Sequence, residues 1–404
     1  MIKGDKMDKI NEVLTRRVAT IYPSKKSLEK VLRSGKKIRL YLGIDPTAVN
    51  LHLGHLIPLR ILEAFGRLGH EAIFLFGTGT VLVGDPSERE SGRKLITEAE
   101  VKKNVQTWKD QIRPVIDLKY IKFRSNADWL TKLTLKDIIK IGSKISAVQL
   151  FKRDSFTRRI RAGDTVWYHE TMYPLLQGYD SVVMDVDLEI GGTDQMFNML
   201  IGRELQKKFR DKEKYVMTMK MLSGSDGKTM SKTSGNTINL LASPQDKFGQ
   251  AMRIIDEMIF EYFKLVTDLP LTEIKQLEKN LQSGQVQPMN LKKRLAFEIV
   301  KMYHGEKAAA AALKEFEQVF QKNKNPKKMP IFKTSQARWG IIDFLITSKL
   351  APSRSEAKRL IKQNAVEIES KKITNPNLKL RIDNNQVVRV GKRRFKKIKI
   401  IQNP

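Results

Sequence analysis

The sequence predicts an α/β protein: a doubly wound, mostly parallel sheet first, then a run of helices, then a small α+β module. Three observations carry this expectation. Short apolar runs alternate with helix-period segments in the first half of the chain, only helical periodicity remains between Ser243 and Phe320, and positive charge accumulates beyond position 337. Strands that alternate with helical segments are joined by crossovers whose helices cover both faces of a parallel sheet.

The expected strands are Ile38–Ile44, Ala72–Phe76, Tyr120–Phe123, Ser181–Met184 and Tyr215–Met219. A helix should follow the first of these, starting near His55, with Leu56, Leu59, Ile61, Ala64, Phe65 and Leu68 on its apolar side and Gly69 as its stop. Pro58 would fall in its first turn, where amide hydrogens have no intrahelical partner. These elements define a domain at 1–242. At Ser243 the run Ser-Pro-Gln-Asp supplies an N-cap, a proline at the first helical position and a capping acid, which opens a helical domain at 243–320. Within it Asn290 should start a helix carrying Leu291, Leu295, Ile299 and Met302, and His304-Gly305 should break it. Residues 321–337 read as a linker, because the first ten hold two prolines and four lysines; residues 338–404 form the last domain.

The 404 residues allow two to four domains, and 41% apolar residues suffice for a packed core. Lysine and arginine number 75 against 44 acidic residues, a net charge of +31, which calls for a polyanionic partner, nucleic acid ahead of an acidic membrane. No stretch is long and apolar enough to span a membrane, and Met1–Ile10 lacks the apolar core of a signal peptide, so a soluble, cytoplasmic protein is expected. The chain has no cysteine, which excludes disulfides, thiolate zinc sites and cysteine nucleophiles.

The charge is localised. Residues 338–404 hold seventeen basic residues against five acidic ones. Ser353-Arg-Ser-Glu356 is a capping box opening a short helix on which Arg354, Lys358 and Lys362 recur every four residues, and a strand–turn–strand over 389–399 carries Lys392, Arg393 and Arg394 among seven basic residues and no acid. A solvated surface explains one such run. Two in one small module repel each other unless a polyanion neutralises them.

Two segments carry chemistry. Tyr41-Leu-Gly43-Ile-Asp45-Pro-Thr47 leads to His52-Leu-Gly54-His55 at the entrance to a helix. A parallel strand end feeding a helix N-terminus presents amide hydrogens to phosphate, Gly54 admits a flat base or ribose, and imidazoles donate to phosphate oxygens. Two histidines three apart serve equally as structural caps, and no third ligand nearby would complete a metal site. The second segment, Gly224 to Asn236, has three glycines with Lys228 and Lys232 and reads as a loop able to fold over an anion. Neither it nor Gly77–Gly84 has the glycine-to-lysine spacing of a nucleotide-hydrolase phosphate loop.

In this order the segments resemble class I aminoacyl-tRNA synthetases, and their surroundings resemble the bacterial-type tyrosyl-tRNA synthetase family over almost the whole chain. His52-Leu-Gly-His55 is similar to the family's His-Ile-Gly-His signature, and Thr229-Met-Ser-Lys232-Thr233 to its Lys-Met-Ser-Lys-Ser loop, with Thr229 where lysine is usual and Lys228 one position earlier. Tyr173-Pro-Leu-Leu-Gln177-Gly-Tyr-Asp180 and Gly191-Gly192-Thr-Asp194-Gln195 match its substrate segments. The resemblance implies a Rossmann-like catalytic domain, a helical anticodon-binding domain and a homodimer. It also implies a C-terminal domain similar to the RNA-binding domain named after ribosomal protein S-four.

The resemblance further implies that Tyr41 and Asp180 contact the substrate phenol, that Asp85, Tyr173 and Gln177 hold its ammonium, and that Gln195 lies by its carboxylate. Gly43, Asp45, Gly54, Gly192, Asp194 and Lys228 would line the ATP site, and Arg89 and Arg93 would approach the pyrophosphate beside Glu88 and Glu90. Thr47, His52 and Lys232 would stabilise charge on the phosphates, and His55 with Asp194 would hold the ribose. The implied reaction is ATP-dependent activation of L-tyrosine, with Mg2+ accompanying the nucleotide and no metal held by the protein itself, followed by transfer to the 3′ end of tRNA(Tyr). A non-catalytic RNA-binding protein on the same scaffold, or a tryptophan-specific relative, are the alternatives; Tyr41 and Asp180 suit a phenol better than an indole.

Overall fold

A computed structural model describes residues 9–86, 97–230, 235–321, 329–391 and 394–401. Arg89, Arg93, Lys232, Lys392, Arg393 and residues 322–328 of the expected linker lie outside the described residues. The chain divides into two compact units, 1–309 and 310–404.

The first unit is built on six strands: β1 (Val18–Tyr22), β2 (Arg39–Ile44), β3 (Glu71–Phe76), β4 (Lys122–Ser125), β5 (Leu188–Gly192) and β6 (Tyr215–Met219). Their order is β1-β6-β5-β2-β3-β4, parallel throughout except for β1, which runs antiparallel to β6 along an edge. The chain moves from β2 outward through β3 and β4, then returns to β2's other side with β5 and β6. Strand order therefore reverses between β2 and β5, and such a reversal opens a crevice at the carboxyl ends of the strands. Leu40, Tyr41 and Leu42 on β2, and Ala72 to Phe76 on β3, are buried, as strands covered on both faces must be.

Two strand expectations change, and β1 falls outside the expected set. Ser181–Met184 is the last turn of helix α3 (Tyr168–Met184), and the strand is β5, after the chain turns at Asp185 with φ +49°. A four-residue apolar run cannot separate a buried helix turn from a buried strand. Tyr120 belongs to a 3-10 turn, Leu118–Tyr120, and β4 begins two residues later. The edge strand β1 carries exposed and buried residues without the apolar run that marks the interior strands.

Helix α1 (Leu53–Arg67) starts two residues before the expected point, with His52 as its N-cap. Pro58 thus lies inside the helix, and the carbonyl of Gly54, four residues earlier, loses its helical donor. The other helices that shape the site are α2 (Glu98–Ile112), α3 and α4 (Met196–Arg210). Beyond residue 242 the first unit is helical. Ser243 accepts from the Asp246 amide to cap Pro244–Ala251, and Gly305 at φ +79° breaks the long helical stretch that starts at Pro288. Arg16 and Arg17 donate to the carbonyls of Lys264, Leu265, Thr267 and Leu269, satisfying the end of helix Ile259–Val266.

The second unit contains a five-stranded sheet, ordered β10 (Lys371–Lys372), β9 (Val366–Ile368), β12 (Val387–Val390), β13 (Arg394–Ile400) and β7 (Ile331–Thr334), and a separate pair, β8 (Arg338–Gly340) with β11 (Lys379–Arg381). Helices Ile341–Thr347 and Arg354–Lys362 bring Ile341, Phe344, Leu345, Leu360 and Ile361 onto Val388 and Ile398 in one core. Strand β7 pairs parallel to β13 and its Phe332 packs against that core, so the segment assigned to a linker at 321–337 is already sheet at Ile331. Ladder hydrogen bonds and one aromatic side chain outweigh a local composition rich in lysine and proline.

Candidate active site

A groove of about 950 Å³ lies in the first unit at the carboxyl ends of β2, β3, β5 and β6, where the strand order reverses. It brings together residues far apart in sequence: Tyr41, Gly43, Asp45 and Thr47 from β2 and its exit; His52, Gly54 and His55 from the start of α1; Asp85; Tyr173, Gln177 and Asp180 from α3; and Gly192, Asp194 and Gln195 from the end of β5.

At its deep end Tyr41 is 1% exposed and hydrogen-bonds Ser181 Oγ at 3.1 Å. The Asp180 carboxylate accepts from Trp129 Nε1 (2.8 Å) and Asn126 Nδ2 (3.0 Å), and an apolar cluster of Ile73, Leu75, Met184 and Val186 packs around Tyr41 with Trp129 against it. Burial pushes the Asp180 carboxyl well above the usual carboxylate range, against the pull of its two donors, while the charges of Glu189 and Asp45 push it further up. Burial raises the Tyr41 phenol as well, with Glu189 and Asp180 adding to it. This end therefore offers hydrogen-bonding groups inside an apolar wall, the arrangement that accepts a ring bearing a hydroxyl and leaves groups unpaired beside a ring without one.

The middle of the groove is acidic. Asp45 accepts from Thr80 Oγ1 (2.7 Å) and from the Tyr173 hydroxyl (3.0 Å). It fits only because position 77 is glycine: a Cβ there would stand 1.9 Å from Asp45 Oδ1. Asp85 accepts from Gln195 Nε2 (2.7 Å) and pairs with the buried Arg153 (3.3 Å), and Gln195 also reaches Asp194 (2.7 Å). Burial raises Asp194, and Asp85 beside it acts the same way, while the Gln195 bond opposes the shift. A Cβ on Gly192 would lie 2.2 Å from Asp194 Oδ1, so this carboxylate too depends on a glycine. Gln177 donates to Glu189 Oε1 (3.1 Å) and accepts from Asn198 (2.9 Å). Carboxylates converging on one wall favour a cationic group there.

At the outer end the His52 amide donates to His55 Nδ1 (3.2 Å), and the two rings lie 4.0 Å apart between centroids. A Cβ on Gly54 would press within 3.1 Å of the His52 ring. The histidine segment is tied to the chain beyond the glycine-rich loop: Leu53 donates to the Ile238 carbonyl (3.1 Å) and Leu240 to that of Leu51 (3.2 Å). The described part of that loop is closed at its base by Asn236, which donates to Asp226 (2.8 Å) and to the Thr229 carbonyl (3.0 Å). Gly227, Thr229 and Met230 line the groove. Lys228 does not: it is exposed, and its amide donates to Asp226. Thr47 is exposed at the rim.

Several groups at the site had no local signal. Thr80, Asn126, Trp129, Arg153, Ser181, Glu189 and Lys214 enter through contacts across 8 to 68 positions, and nothing in their immediate neighbours distinguishes them from loop or core residues. Among the described residues no three histidines, aspartates or glutamates are placed to hold a metal ion.

In the second unit Arg354, Lys358 and Lys362 are exposed along one side of their helix, with Leu360 and Ile361 buried on the other. Arg354 pairs with Asp343 at 2.6 Å, and Arg394 donates to the Leu350 carbonyl at 2.7 Å. No helix among the described residues is long and apolar enough to cross a membrane.

The family described as "tRNA synthetases class I (W and Y)" matches residues 33–321, and the "Tyrosine--tRNA ligase SYY-like C-terminal domain" matches 316–398. The chain is 40% identical over 390 residues to a tyrosine–tRNA ligase of Moorella thermoacetica, covering 96% of this chain and 94% of that protein. It is 38% identical over 388 residues to a tyrosine–tRNA ligase of Thermotoga maritima, covering 96% of each. A C-terminally truncated mitochondrial tyrosyl-tRNA synthetase of Aspergillus nidulans shares the fold, with a TM-score of 0.65 at 22% identity over 79% of this chain and 99% of that one.

Proposed function

The chain belongs to the class I tRNA synthetases of the tryptophan and tyrosine group, and we propose how its groove carries out the tyrosine–tRNA ligase reaction. One observation carries the reading: a hydroxyl-selective apolar end, an acidic middle and a histidine-rimmed helix N-terminus follow one another in a single groove. L-tyrosine would lie with its phenol at Tyr41 and Asp180 and its ammonium among Asp85, Tyr173 and Gln177. Its carboxylate would sit by Gln195.

ATP would enter from the histidine end, with its ribose at His55 and Asp194 and Gly43, Asp45, Gly54 and Gly192 along its path. A carboxylate oxygen of tyrosine attacks the α-phosphorus and pyrophosphate leaves. The attacking group is already an anion, so no protein base is needed; alignment and charge stabilisation are the protein's share. Thr47 and His52, which line the groove, would do that work. Lys232 would join them from the loop, with Lys228 the weaker contributor because it does not line the groove. Arg89 and Arg93 would meet the pyrophosphate. Magnesium would come with the phosphates.

Transfer to the 3′ end of tRNA(Tyr) follows, with Arg354, Lys358, Lys362, Lys392, Arg393 and Arg394 contacting RNA phosphates and the helices of 243–320 facing the anticodon. The exposed apolar side chains Leu135, Ile139, Val148, Ile160, Trp167 and Tyr168 support a homodimer formed through the 135–168 region. The protein would work in the cytoplasm. Tyrosine-dependent ATP–pyrophosphate exchange, run with a panel of amino acids, tests the reading. Exchange with tyrosine alone is expected; exchange with tryptophan, or none with retained RNA binding, would replace it with one of the alternatives.

A further inference from the structure

Behind the groove, and not lining it, stands a buried ion pair that the reaction does not call for. Lys214, just before β6, is 0% exposed and contacts Glu189 of β5, itself 2% exposed. Gly202 on α4 makes room for it, since a Cβ there would lie 2.6 Å from Lys214 Nζ. A buried pair of this kind adds little net stability, because desolvation cancels most of the attraction, so its value lies in what it orders.

It orders both ends of the tyrosine site. Lys214 Nζ donates to Ser181 Oγ at 2.8 Å, and Ser181 in turn meets the Tyr41 hydroxyl at 3.1 Å and Glu189 Oε2 at 3.4 Å. Glu189 Oε1 accepts from Gln177 at 3.1 Å. An ammonium can only donate, so it fills one lone pair of Ser181 and leaves the other for the Tyr41 O–H. The serine's own hydrogen then faces Glu189. The Ser181 bridge, backed by Glu189, draws the phenolic proton of Tyr41 to the rear of the pocket.

We propose that the Lys214–Glu189 pair, acting through Ser181, holds the Tyr41 hydroxyl as a hydrogen-bond acceptor toward the substrate, and through Gln177 fixes the ammonium end at the matching spacing. A phenol then has one hydrogen to donate to the Tyr41 oxygen, and a phenyl ring has none. Lys214, Glu189 and Ser181 are thus positioning residues for specificity. The inference rests on the tyrosine reading of the groove.

The test uses the full chain with Ser181→Ala, which deletes one oxygen and leaves the ion pair in place, and Ser181→Thr, which restores the hydroxyl. In ATP–pyrophosphate exchange, Ser181→Ala should raise KM for tyrosine and narrow the preference for tyrosine over phenylalanine, each by about tenfold, the worth of one hydrogen bond. KM for ATP should not move, and Ser181→Thr should recover most of the preference. A merely structural serine would lower Tm and leave the preference at its wild-type value, which overturns the proposal. Absence of tyrosine-dependent exchange by the unmodified protein overturns the groove's reading together with it; normal exchange with an unchanged preference in Ser181→Ala overturns this proposal alone.

Discussion

The groove and the C-terminal unit use charge in opposite ways. In the groove and directly behind it Asp180, Glu189, Lys214 and Arg153 are buried, and each is held by named partners in one geometry. In the C-terminal unit Arg354, Lys358 and Lys362 stand in solvent on a short helix whose other side supplies the core. A buried polar group left without its partner costs its full desolvation, whereas an exposed charge contributes little by itself and acts through the summed field. One region should therefore respond steeply to single substitutions and weakly to salt, and the other the reverse.

The largest expected effect is at the phenol end. Asp180→Ala removes the acceptor for Trp129 and Asn126 as well as the group proposed to meet the substrate phenol, and it should lower tyrosine activation by about two to three orders of magnitude while narrowing the preference over phenylalanine. Exchange assays with both amino acids measure this. A preference left unchanged would mean that selectivity resides elsewhere in the pocket.

Removal of residues 331–404 comes next. The groove lies wholly within the first unit, so pyrophosphate exchange should stay within about twofold of the full chain, while tRNA charging should fall by about tenfold or more at 0.15 M salt and its salt dependence should flatten. Equal charging by the two forms across a salt series would assign the basic unit another task. A smaller change asks the same question within the intact chain. Replacing Arg354, Lys358 and Lys362 together by glutamine should weaken tRNA binding uniformly across RNA sequences and reduce the salt slope by up to about 0.9 for each phosphate left without its cation. Filter binding between about 50 and 200 mM salt reads that slope, and an unchanged slope would remove this helix from the RNA surface.

The same contrast explains how much the sequence disclosed. Charge that acts collectively is visible in composition, so the basic unit and its capped helix at Ser353 could be read directly. The groove was legible where function is written into short segments: Tyr41 to Thr47, His52 to His55, Tyr173 to Asp180 and Gly191 to Gln195 all meet in it. The groups that support those segments were not legible. Asn126 and Trp129 reach Asp180 across more than fifty positions, and Lys214 reaches Glu189 across twenty-five, through strand pairings that no local pattern encodes. The helical turn at Ser181–Met184, expected as a strand, has the same origin, because its burial is set by the helix packing of α3 on α4 and not by its own alternation.

The smallest expected effect concerns a charge buried away from substrate. Lys247 is 0% exposed, donates to the carbonyls of Asn239 (2.9 Å) and Leu240 (2.6 Å), and lies 4.0 Å from the centre of the Tyr303 ring. Burial pushes its ammonium down to about 8. A lysine whose folded value lies below its unfolded value of about 10.4 binds fewer protons folded than unfolded between these limits, so stability should rise with pH from about 8 to about 10. Below about pH 8 the charged form is present in both states and the cost of burying it applies in full. Lys247→Met removes this pH dependence. The stability difference between wild type and variant, measured by urea unfolding, should therefore shift toward the wild type by about 1–3 kcal/mol from about pH 7 to about pH 10. A difference that stays flat over that range would mean that the two backbone carbonyls and the tyrosine ring stabilise the ammonium as well as water does.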